Sequence, residues 1–226
     1  MCALRVAADL AQTPAQLPFF ISLKALATGD FAGANHRDVA VDRFHRNERV
    51  TCPDVLPGVL SAAECERAKG FARHCRRQDG GLVANQPGYR SVSSHWVMPT
   101  DAESIWLYGK VGAFAAEASK WYGFEIAGLF EPLLYLQYEA GDHFDWHLDA
   151  GIEGTCTRKL SITLQLSKPE DYAGGGLELF PQGELLESRH QGTGIVFPSF
   201  YPHRVAPVTH GVRHALVAWL HGPTFR

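Results

Sequence analysis

His214-Ala-Leu-Val-Ala-Trp-Leu220 is a nearly apolar run close to the C-terminus, and its length and composition predict a buried core strand. Other short apolar runs precede it, separated by turns that contain Gly and Pro, such as Ala173–Gly176 and His210–Gly211. The candidate strands are Leu133–Tyr138, Lys159–Leu166, Gly176–Phe180, Gly194–Phe197 and His203–Ala206. Short, closely spaced strands of this kind predict a mainly β protein with flanking helices, with a jelly-roll or related barrel as its core. Helices that come first and strands that come later argue against a doubly wound α/β fold.

The flanking helices are predicted in the N-terminal half. Ser61-Ala-Ala-Glu64 is a capping box, which predicts a helix from Ala62 to about Arg77. Apolar residues recur at helical spacing between Ala102 and Tyr122, and Gly123 is a plausible end for that second helix. Tyr89–Met98, between the two helices, predicts an extended segment.

The chain divides into two regions. Its 226 residues, 46% of them hydrophobic, are enough for one sizeable core, which we expect within residues 51–226. Residues 1–50 predict an N-terminal extension packed on or near that core. Within the extension, Leu17–Leu23 predicts a short strand or an anchor.

Composition disfavours several classes of protein. The net charge of -3, without a long basic run, disfavours a nucleic-acid partner, because neutralising phosphates needs clustered Lys and Arg. Five cysteines without a C-x-x-C pair predict reduced thiols in a cytoplasmic protein. No stretch approaches the ~20 apolar residues of a membrane span, and the N-terminus lacks the apolar region of a signal peptide. We therefore expect no membrane partner.

The stretch Tyr138-Glu-Ala-Gly-Asp-His-Phe-Asp-Trp-His-Leu-Asp149 contains the residues that predict chemistry. His147 and Asp149 are two positions apart, so on an extended segment their side chains point the same way. A third ligand must come from another strand, and His203 suits this position because it follows the strand at Gly194–Phe197. Two imidazoles and one carboxylate form the facial triad of non-haem Fe(II), which leaves positions open for a cosubstrate and O2.

Two alternatives to this triad remain open. With 11 histidines, chance H-x-D pairs are easy, and His143-Phe-Asp145 is a second such pair. His143 and His147 also have the spacing of a zinc-protease helix, but Phe144 stands where such a helix carries its catalytic Glu. Asp145 therefore remains a second candidate carboxylate, and zinc hydrolysis a second chemistry.

Two arginines precede candidate strands, where their side chains can reach a ligand. Arg213 comes directly before the apolar run at His214–Leu220, and a guanidinium that points inward from there needs a partner. A dicarboxylate cosubstrate would supply that partner, since Arg binds carboxylates through two parallel hydrogen bonds. Taken alone, Arg213 is better explained by solvent exposure or by pairing with an acidic residue. Taken with His147, Asp149 and His203, it favours anion binding. Arg90, at the start of an extended segment, is more simply a solvated arginine than a substrate contact.

The ordered motifs resemble a known family. Tyr138-x-x-Gly141-x-x-Phe144-x-x-His147-x-Asp149 resembles the motif of the prolyl-4-hydroxylase-like branch of 2-oxoglutarate and Fe(II)-dependent dioxygenases. The resemblance runs from Cys52 to Pro223. Its further motifs are Arg158–Ser161, Tyr172–Leu177, Phe197–Ser199 and His203–Val208, followed by Gly211, Arg213 and Trp219.

The resemblance implies a double-stranded β-helix core, of the jelly-roll or cupin kind, and an iron site. It implies His147, Asp149 and His203 as the Fe(II) ligands, with 2-oxoglutarate and O2 as cosubstrates and ascorbate as a reductant. It also implies that Arg213 holds the distal carboxylate of 2-oxoglutarate. Tyr138 matches a tyrosine beside the cosubstrate, although core packing explains it equally well. Gln165 stands where some relatives carry a tyrosine for the cosubstrate, which leaves that contact open.

These observations predict an Fe(II)- and 2-oxoglutarate-dependent hydroxylase. We expect it to act on an unactivated C–H bond of a small molecule, an amino acid or a peptide side chain. The alternatives are a dioxygenase that dealkylates nucleic acids and a cupin-like metal-binding protein without turnover. Neither the substrate nor the oligomeric state is indicated by the sequence.

Overall fold

A computed structural model describes residues 21–22, 53–79 and 88–225 of the chain. Within these ranges the backbone forms fifteen strands and two α-helices. The strands are β1 Ile21–Ser22, β2 Asp54–Leu56, β3 Arg76–Asp79, β4 Arg90–Val97, β5 Gly128–Leu129, β6 Leu133–Tyr138, β7 His143–His147, β8 Arg158–Gln165, β9 Tyr172–Gly174, β10 Leu177–Leu179, β11 Gly183–Glu184, β12 Gly194–Pro198, β13 His203–Val205, β14 Val208–Gly211 and β15 Arg213–His221. The helices are α1 Ala62–Lys69 and α2 Ile105–Tyr122.

Thirteen of the strands form one strongly curled, antiparallel sheet. Its main path is β11-β10-β13-β7-β4-β6-β15-β8-β12-β2, to which β1, β3 and β5 add at the side. The remaining strands, β9 and β14, pair with each other. The prediction of a mainly β protein with helices before most of the strands is confirmed.

Alternate side chains of the sheet face two separate clusters, as the two-residue period of a strand requires. On β6, Leu133 and Tyr135 belong to an outer cluster that also contains the apolar side of α2. Leu134, Leu136 and Tyr138 belong to an inner cluster enclosed by the curled sheet. The outer cluster therefore attaches the helices, and the inner face is left to surround a site.

Each helix has one end where the sequence predicts it: the N-terminus of α1 and the C-terminus of α2. The Glu64 backbone N–H donates to Ser61 Oγ at 3.3 Å, and the Ser61 N–H donates to Glu64 Oε2 at 2.8 Å, which completes the capping box of α1. Gly123 ends α2 in the left-handed conformation, with φ +62°, which glycine adopts without steric cost.

The predicted extent of the first helix is wrong. α1 ends at Lys69, a 3-10 turn follows at Gly70–His74, and Arg76–Asp79 is strand β3. The β3 backbone pairs with β4, with Arg76 opposite Ser94. Pairing with a strand that is distant in sequence therefore overrides the local helical pattern, which no short window of sequence reveals.

Two predicted turns belong to strands. Ala173–Gly176 and His210–Gly211 were expected as turns, but Tyr172–Gly174 and Val208–Gly211 pair as β9 and β14. Gly211 has φ +73°, and a Cβ atom there would lie 2.1 Å from the Asp171 carbonyl oxygen. Glycine at this position thus permits the close approach of the two strands, rather than marking a break between them.

One short piece of the N-terminal region is described. Ile21–Ser22, within the predicted Leu17–Leu23 segment, pairs antiparallel with Gly128–Leu129. The other residues of that segment lie outside the described part of the chain. Among the described residues, no helix combines the length and the apolar character needed to cross a membrane.

Candidate metal centre

His147, Asp149 and His203 lie together at one end of the inner face. His147 is the last residue of β7, and it is directly opposite His203, the first residue of β13, in the antiparallel pairing of those strands. Asp149 follows β7 by two residues. One potential ligand atom from each side chain lies within 4.8 Å of the other two. The sheet thus brings together the three residues that the sequence singled out.

Backbone hydrogen bonds orient both imidazoles. His147 Nδ1 lies 2.7 Å from the Asp145 carbonyl oxygen, and His203 Nδ1 lies 2.9 Å from the Tyr201 carbonyl oxygen. Because a carbonyl oxygen only accepts, each Nδ1 must carry the proton, which leaves the lone pair on Nε2. This is the arrangement of histidines that bind a metal through Nε2.

The two Nε2 atoms converge on the Asp149 carboxylate. His147 Nε2 lies 3.8 Å from Asp149 Oδ1, and His203 Nε2 lies 3.5 Å from Asp149 Oδ2. These distances leave room for a metal ion between the three groups, and the donor set of two nitrogens and one oxygen suits Fe(II). The residues present therefore fit the metal.

Serine hydroxyl groups fix the carboxylate. Ser161 Oγ, on β8, donates to Asp149 Oδ2 at 2.6 Å, and the Ser199 hydroxyl lies 3.0 Å from Ser161 Oγ. Arg158 Nη1 donates to the Asp149 carbonyl oxygen at 3.2 Å. The sequence motifs contained these residues, but no role was predicted for them, because the contacts join separate elements of the fold and spacing along the chain does not reveal them.

Burial and neighbouring charges together set the protonation of the cluster. Burial lowers the pKa of His147 to about 4, and the neighbouring His203 acts in the same direction. Burial would raise the pKa of Asp149, but His203, His147 and Arg158 outweigh it and hold that pKa below its usual value. At neutral pH, His147 is therefore a neutral imidazole and Asp149 a carboxylate, the forms that bind a metal.

The alternative ligands lie outside this cluster. Asp145 is exposed, and its Oδ1 accepts from the Trp146 N–H at 2.8 Å. His143 Nε2 lies 2.8 Å from the Gly88 carbonyl oxygen, away from the triad. His143 and His147 lie on strand β7 and not on a helix, so they do not form the helical zinc site of a zinc protease.

Arg213 and Tyr138 face the same interior. They are opposite each other in the pairing of β15 with β6, and the Arg213 guanidinium carbon lies 5.6 Å from the Tyr138 ring centroid. Arg213 is only 3% exposed, yet it makes no hydrogen bond or ion pair with a residue of the described ranges. A buried guanidinium without a partner is costly, so this position fits an anionic ligand.

Other polar atoms of the inner face also lack partners within the described ranges. They are Arg90 Nε, Ser94 Oγ, Gln165 Oε1 and Trp219 Nε1. Gln165 Nε2, in contrast, donates to the Ser167 carbonyl oxygen at 3.1 Å and lies 3.2 Å from the Tyr172 hydroxyl. Buried polar groups are normally paired, so a polar ligand fits the interior of the sheet.

Arg90 differs from the expectation for a solvated arginine. It is 5% exposed and lies on the inner face, where its guanidinium carbon is 4.8 Å from the Phe144 ring centroid. Its place at the start of an alternating strand is the sequence signal that could have indicated burial.

Comparison with known proteins agrees with this arrangement. The family model of the 2OG-Fe(II) oxygenase superfamily matches residues 133–221. A PKHD-type hydroxylase of Janthinobacterium sp. (strain Marseille) is 35% identical over 176 residues, which are 73% of this chain and 76% of the relative.

Two solved structures share the fold. A prolyl hydroxylase from Trichoplax adhaerens, in complex with a hypoxia inducible factor peptide fragment, superposes with a TM-score of 0.60 at 16% identity, covering 75% of this chain and 83% of that one. The viral collagen prolyl hydroxylase of Paramecium Bursaria Chlorella virus-1, in its 2OG complex, gives a TM-score of 0.57 at 21% identity and covers 76% and 97% of the two chains. These neighbours have a jelly-roll core, which confirms the predicted fold. The chain thus belongs to the 2OG-Fe(II) oxygenase superfamily, in its prolyl-4-hydroxylase-like branch, and is a 2-oxoglutarate-dependent hydroxylase that uses Fe(II), 2-oxoglutarate and O2.

Proposed function

We propose that His147, Asp149 and His203 are the ligands of Fe(II) in this hydroxylase. The observation that carries the proposal is the convergence of two Nε2 atoms on one carboxylate, with both Nδ1 atoms bound to backbone carbonyls. With 2-oxoglutarate and O2, the iron supplies the oxidising power that hydroxylates an unactivated C–H bond. The protein holds the three ligands on one side of the metal and leaves the other side open.

We further propose that Arg213 binds the distal carboxylate of 2-oxoglutarate, with Tyr138 beside it. Support comes from the burial of Arg213 and from its lack of a partner within the described ranges. Burial raises the pKa of Tyr138, although Arg90 and Arg213 oppose the shift, so its phenol remains a hydrogen-bond donor at neutral pH. A donor and a guanidinium on adjacent strands suit one carboxylate.

The proposed substrate is a small molecule, an amino acid or a peptide side chain. The peptide in the Trichoplax adhaerens complex supports the peptide case by similarity.

The ligand assignment is tested by measuring bound iron in two variants. Asp149→Ala should abolish stoichiometric Fe(II) binding, whereas Asp145→Ala should retain it, because the Asp145 side chain points away and its carbonyl survives the substitution. Iron is measured after anaerobic loading and gel filtration. Loss of iron from Asp145→Ala alone would mean that Asp145 is the carboxylate ligand.

Turnover distinguishes the hydroxylase from a binding protein. We expect succinate to form from 2-oxoglutarate with Fe(II) and ascorbate, but not with Zn(II), and to increase when a substrate is added. If every substrate screened, including proline peptides, left succinate at the level of the iron-free protein, a binding role without turnover would be favoured.

We also propose that residues 1–50 form an extension on a catalytic domain of residues 51–226. The pairing of Ile21–Ser22 with Gly128–Leu129 supports contact between the two. Cys65, Cys75 and Cys156 are free thiols, which supports a cytoplasmic location.

A further inference from the structure

Arg90 is a buried cation on the inner face of the sheet. It begins β4, and Val92, two residues further along the same strand, belongs to the inner cluster. Because side chains two apart on a strand share a face, Arg90 points into the same interior as the triad. Only 5% of its surface is exposed.

The surroundings of Arg90 connect it to the proposed metal ligands. Its guanidinium carbon lies 4.8 Å from the Phe144 ring centroid, and the Phe144 ring stacks on the His147 ring with 3.5 Å between centroids. Burial lowers the pKa of Arg90, while Tyr138 and Asp149 act in the opposite direction. The charge of Arg90 therefore acts within the site and not on the outer surface.

Arg90 has no anionic partner in the described part of the chain. Its Nε is buried without a hydrogen bond, and it makes no ion pair there. Other well-covered arginines do have one: Arg158 donates to Glu131 Oε1 at 2.7 Å, and Arg189 donates to Glu184 Oε1 at 2.6 Å. The described chain thus leaves two inner-face guanidiniums unpaired, those of Arg90 and Arg213.

A charge count shows that one cosubstrate does not neutralise both arginines. Fe(II) and Arg213 together carry three positive charges, while Asp149 and the two carboxylates of 2-oxoglutarate carry three negative charges. Arg90 then adds one positive charge that nothing in the assembled site balances. A buried, unbalanced charge is unfavourable, so a further anion fits beside Arg90.

We propose that Arg90 binds a carboxylate of the primary substrate, so that the enzyme acts on a molecule that bears a carboxylate close to the oxidised carbon. This inference rests on the proposed iron and 2-oxoglutarate sites. The guanidinium would bind the carboxylate through two parallel hydrogen bonds, and the Phe144 ring beneath it would keep the fork in place. Arg90 is thus a residue that determines specificity and orients the substrate.

The test is a binding titration of the anaerobic protein saturated with Fe(II) and 2-oxoglutarate. Amino acids and short carboxylic acids are titrated by calorimetry, each beside its primary amide. At least one acid should bind, and its amide should bind at least about tenfold more weakly, because a charge-assisted hydrogen bond is lost. Arg90→Gln should weaken the acid by a similar factor and leave the amide unchanged, while Arg90→Lys should recover part of the affinity.

Two control variants separate Arg90 from other arginines. Arg204→Gln removes a guanidinium that lies 5.0 Å from the Trp146 ring centroid and pairs with Glu178; because Arg204 follows His203 on β13, it faces the other side of the strand, and its loss should leave acid binding within about twofold. Arg213→Gln should weaken 2-oxoglutarate at least about tenfold, whereas Arg90→Gln should change it by less than about threefold. A thermal melt of each variant checks folding, and Arg90→Lys keeps the test valid if Arg90→Gln does not fold.

Four results would overturn the proposal. Arg90→Gln could weaken 2-oxoglutarate as much as Arg213→Gln does, which would assign Arg90 to the cosubstrate. The acids could bind no better than their amides. The acids could also bind the Arg90→Gln and Arg90→Lys variants with equal affinity. Finally, no acid in the panel could bind the loaded wild-type protein. Failure of the wild-type protein to bind Fe(II) or 2-oxoglutarate at all would instead contradict the proposed function, and it is recorded before any acid is added.

Discussion

The proposed iron ligands depend on neighbours that hold each one in a single orientation. The two imidazoles are fixed by main-chain carbonyls, which no substitution of a side chain removes directly. Asp149 depends instead on a hydroxyl, that of Ser161. At this site the carboxylate is therefore the ligand most sensitive to a change in a surrounding side chain.

Ser161→Ala tests this dependence. Loss of the hydroxyl leaves Asp149 Oδ2 without its donor, so we expect Fe(II) affinity to fall about 10- to 100-fold while the fold is retained. The measurement is an anaerobic titration with Fe(II) against a competing chelator. Ser119→Ala, which removes a serine hydroxyl from helix α2, should leave the affinity unchanged. Equal affinity of Ser161→Ala and wild type would mean that the hydrogen bond does not orient the ligand.

Residue types and spacing predicted part of the site. His147 and Asp149 were predictable because a two-residue spacing on a strand places both side chains on one side, and His203 because a third ligand had to follow another strand. The hydrogen bond of Ser161 was not predictable from spacing, since it joins side chains of different elements, and the burial of Arg90 had one sequence signal only, its place at the start of an alternating strand.

Helix α2 packs on the sheet through the outer cluster. Leu107, Val111 and Ala115 are fully buried on one side of the helix, while Ile105 is 43% exposed on another. The buried side of the helix packs on residues of the outer cluster that belong to the sheet, such as Ile162 and Leu164. The proposed metal ligands lie on the other face of the sheet, so the helix supports the fold without contacting the candidate site.

Leu107→Ala and Ile105→Ala compare the two sides of α2 with the same class of substitution. We expect Leu107→Ala to lower the free energy of unfolding by about 2–5 kcal/mol, because it leaves a cavity in the outer cluster. Ile105→Ala should cost less than about 1 kcal/mol. Urea denaturation of the metal-free proteins measures both. Similar losses for the two variants would contradict the packing described for α2.

Elements with a strong local pattern were predicted well, and those defined by pairing were not. The predicted strand Leu133–Tyr138 has the observed bounds, and the second helix ends at Gly123 as expected. β3 and the pair β9–β14 were missed. Their residues are polar or glycine-rich, and each becomes a strand only because a distant partner accepts its backbone hydrogen bonds.

In the whole molecule, the curled sheet has the outer cluster, which attaches the helices, on one side and the candidate site on the other. At the outer cluster, Trp106 Nε1 is a buried polar atom without a partner in the described ranges, whereas the inner face has such atoms on Arg90, Ser94, Gln165 and Trp219. These atoms reduce the stability of the protein without its ligands, and binding of metal and cosubstrate should restore it.

Removal of the metal should therefore lower the melting temperature. Fe(II) at 100 times its dissociation constant should add about 2.7 kcal/mol to the free energy of unfolding. Anaerobic melts with Fe(II) and with a chelator measure the difference, which Asp149→Ala should abolish. If Fe(II) did not change the melting temperature of the wild-type protein, the proposed assignment of the triad would be contradicted.

The pH dependence of the metal-free protein should follow its buried histidines. Burial lowers the pKa of His214 to about 4, and its Nδ1 lies 2.8 Å from the hydroxyl of Tyr135, a residue of the outer cluster on the other side of the sheet from the triad. In the unfolded chain this pKa is about 6.5. Above pH 6.5 both states are neutral at His214, so it has no effect there. As the pH falls from 6.5 to about 4, the unfolded chain binds the proton and the folded protein does not, so stability decreases by at most about 1.4 kcal/mol per pH unit for this residue. Below pH 4 both states are protonated and the loss of stability stops growing.

His214→Asn should therefore make the curve of stability against pH flatter between pH 6.5 and 4. The measurement is urea denaturation with a chelator present. The control is His210→Asn, at an exposed position, which should leave the slope as in the wild type. An unchanged slope in His214→Asn would show that His214 is protonated in the folded protein, which its burial against Tyr135 argues against.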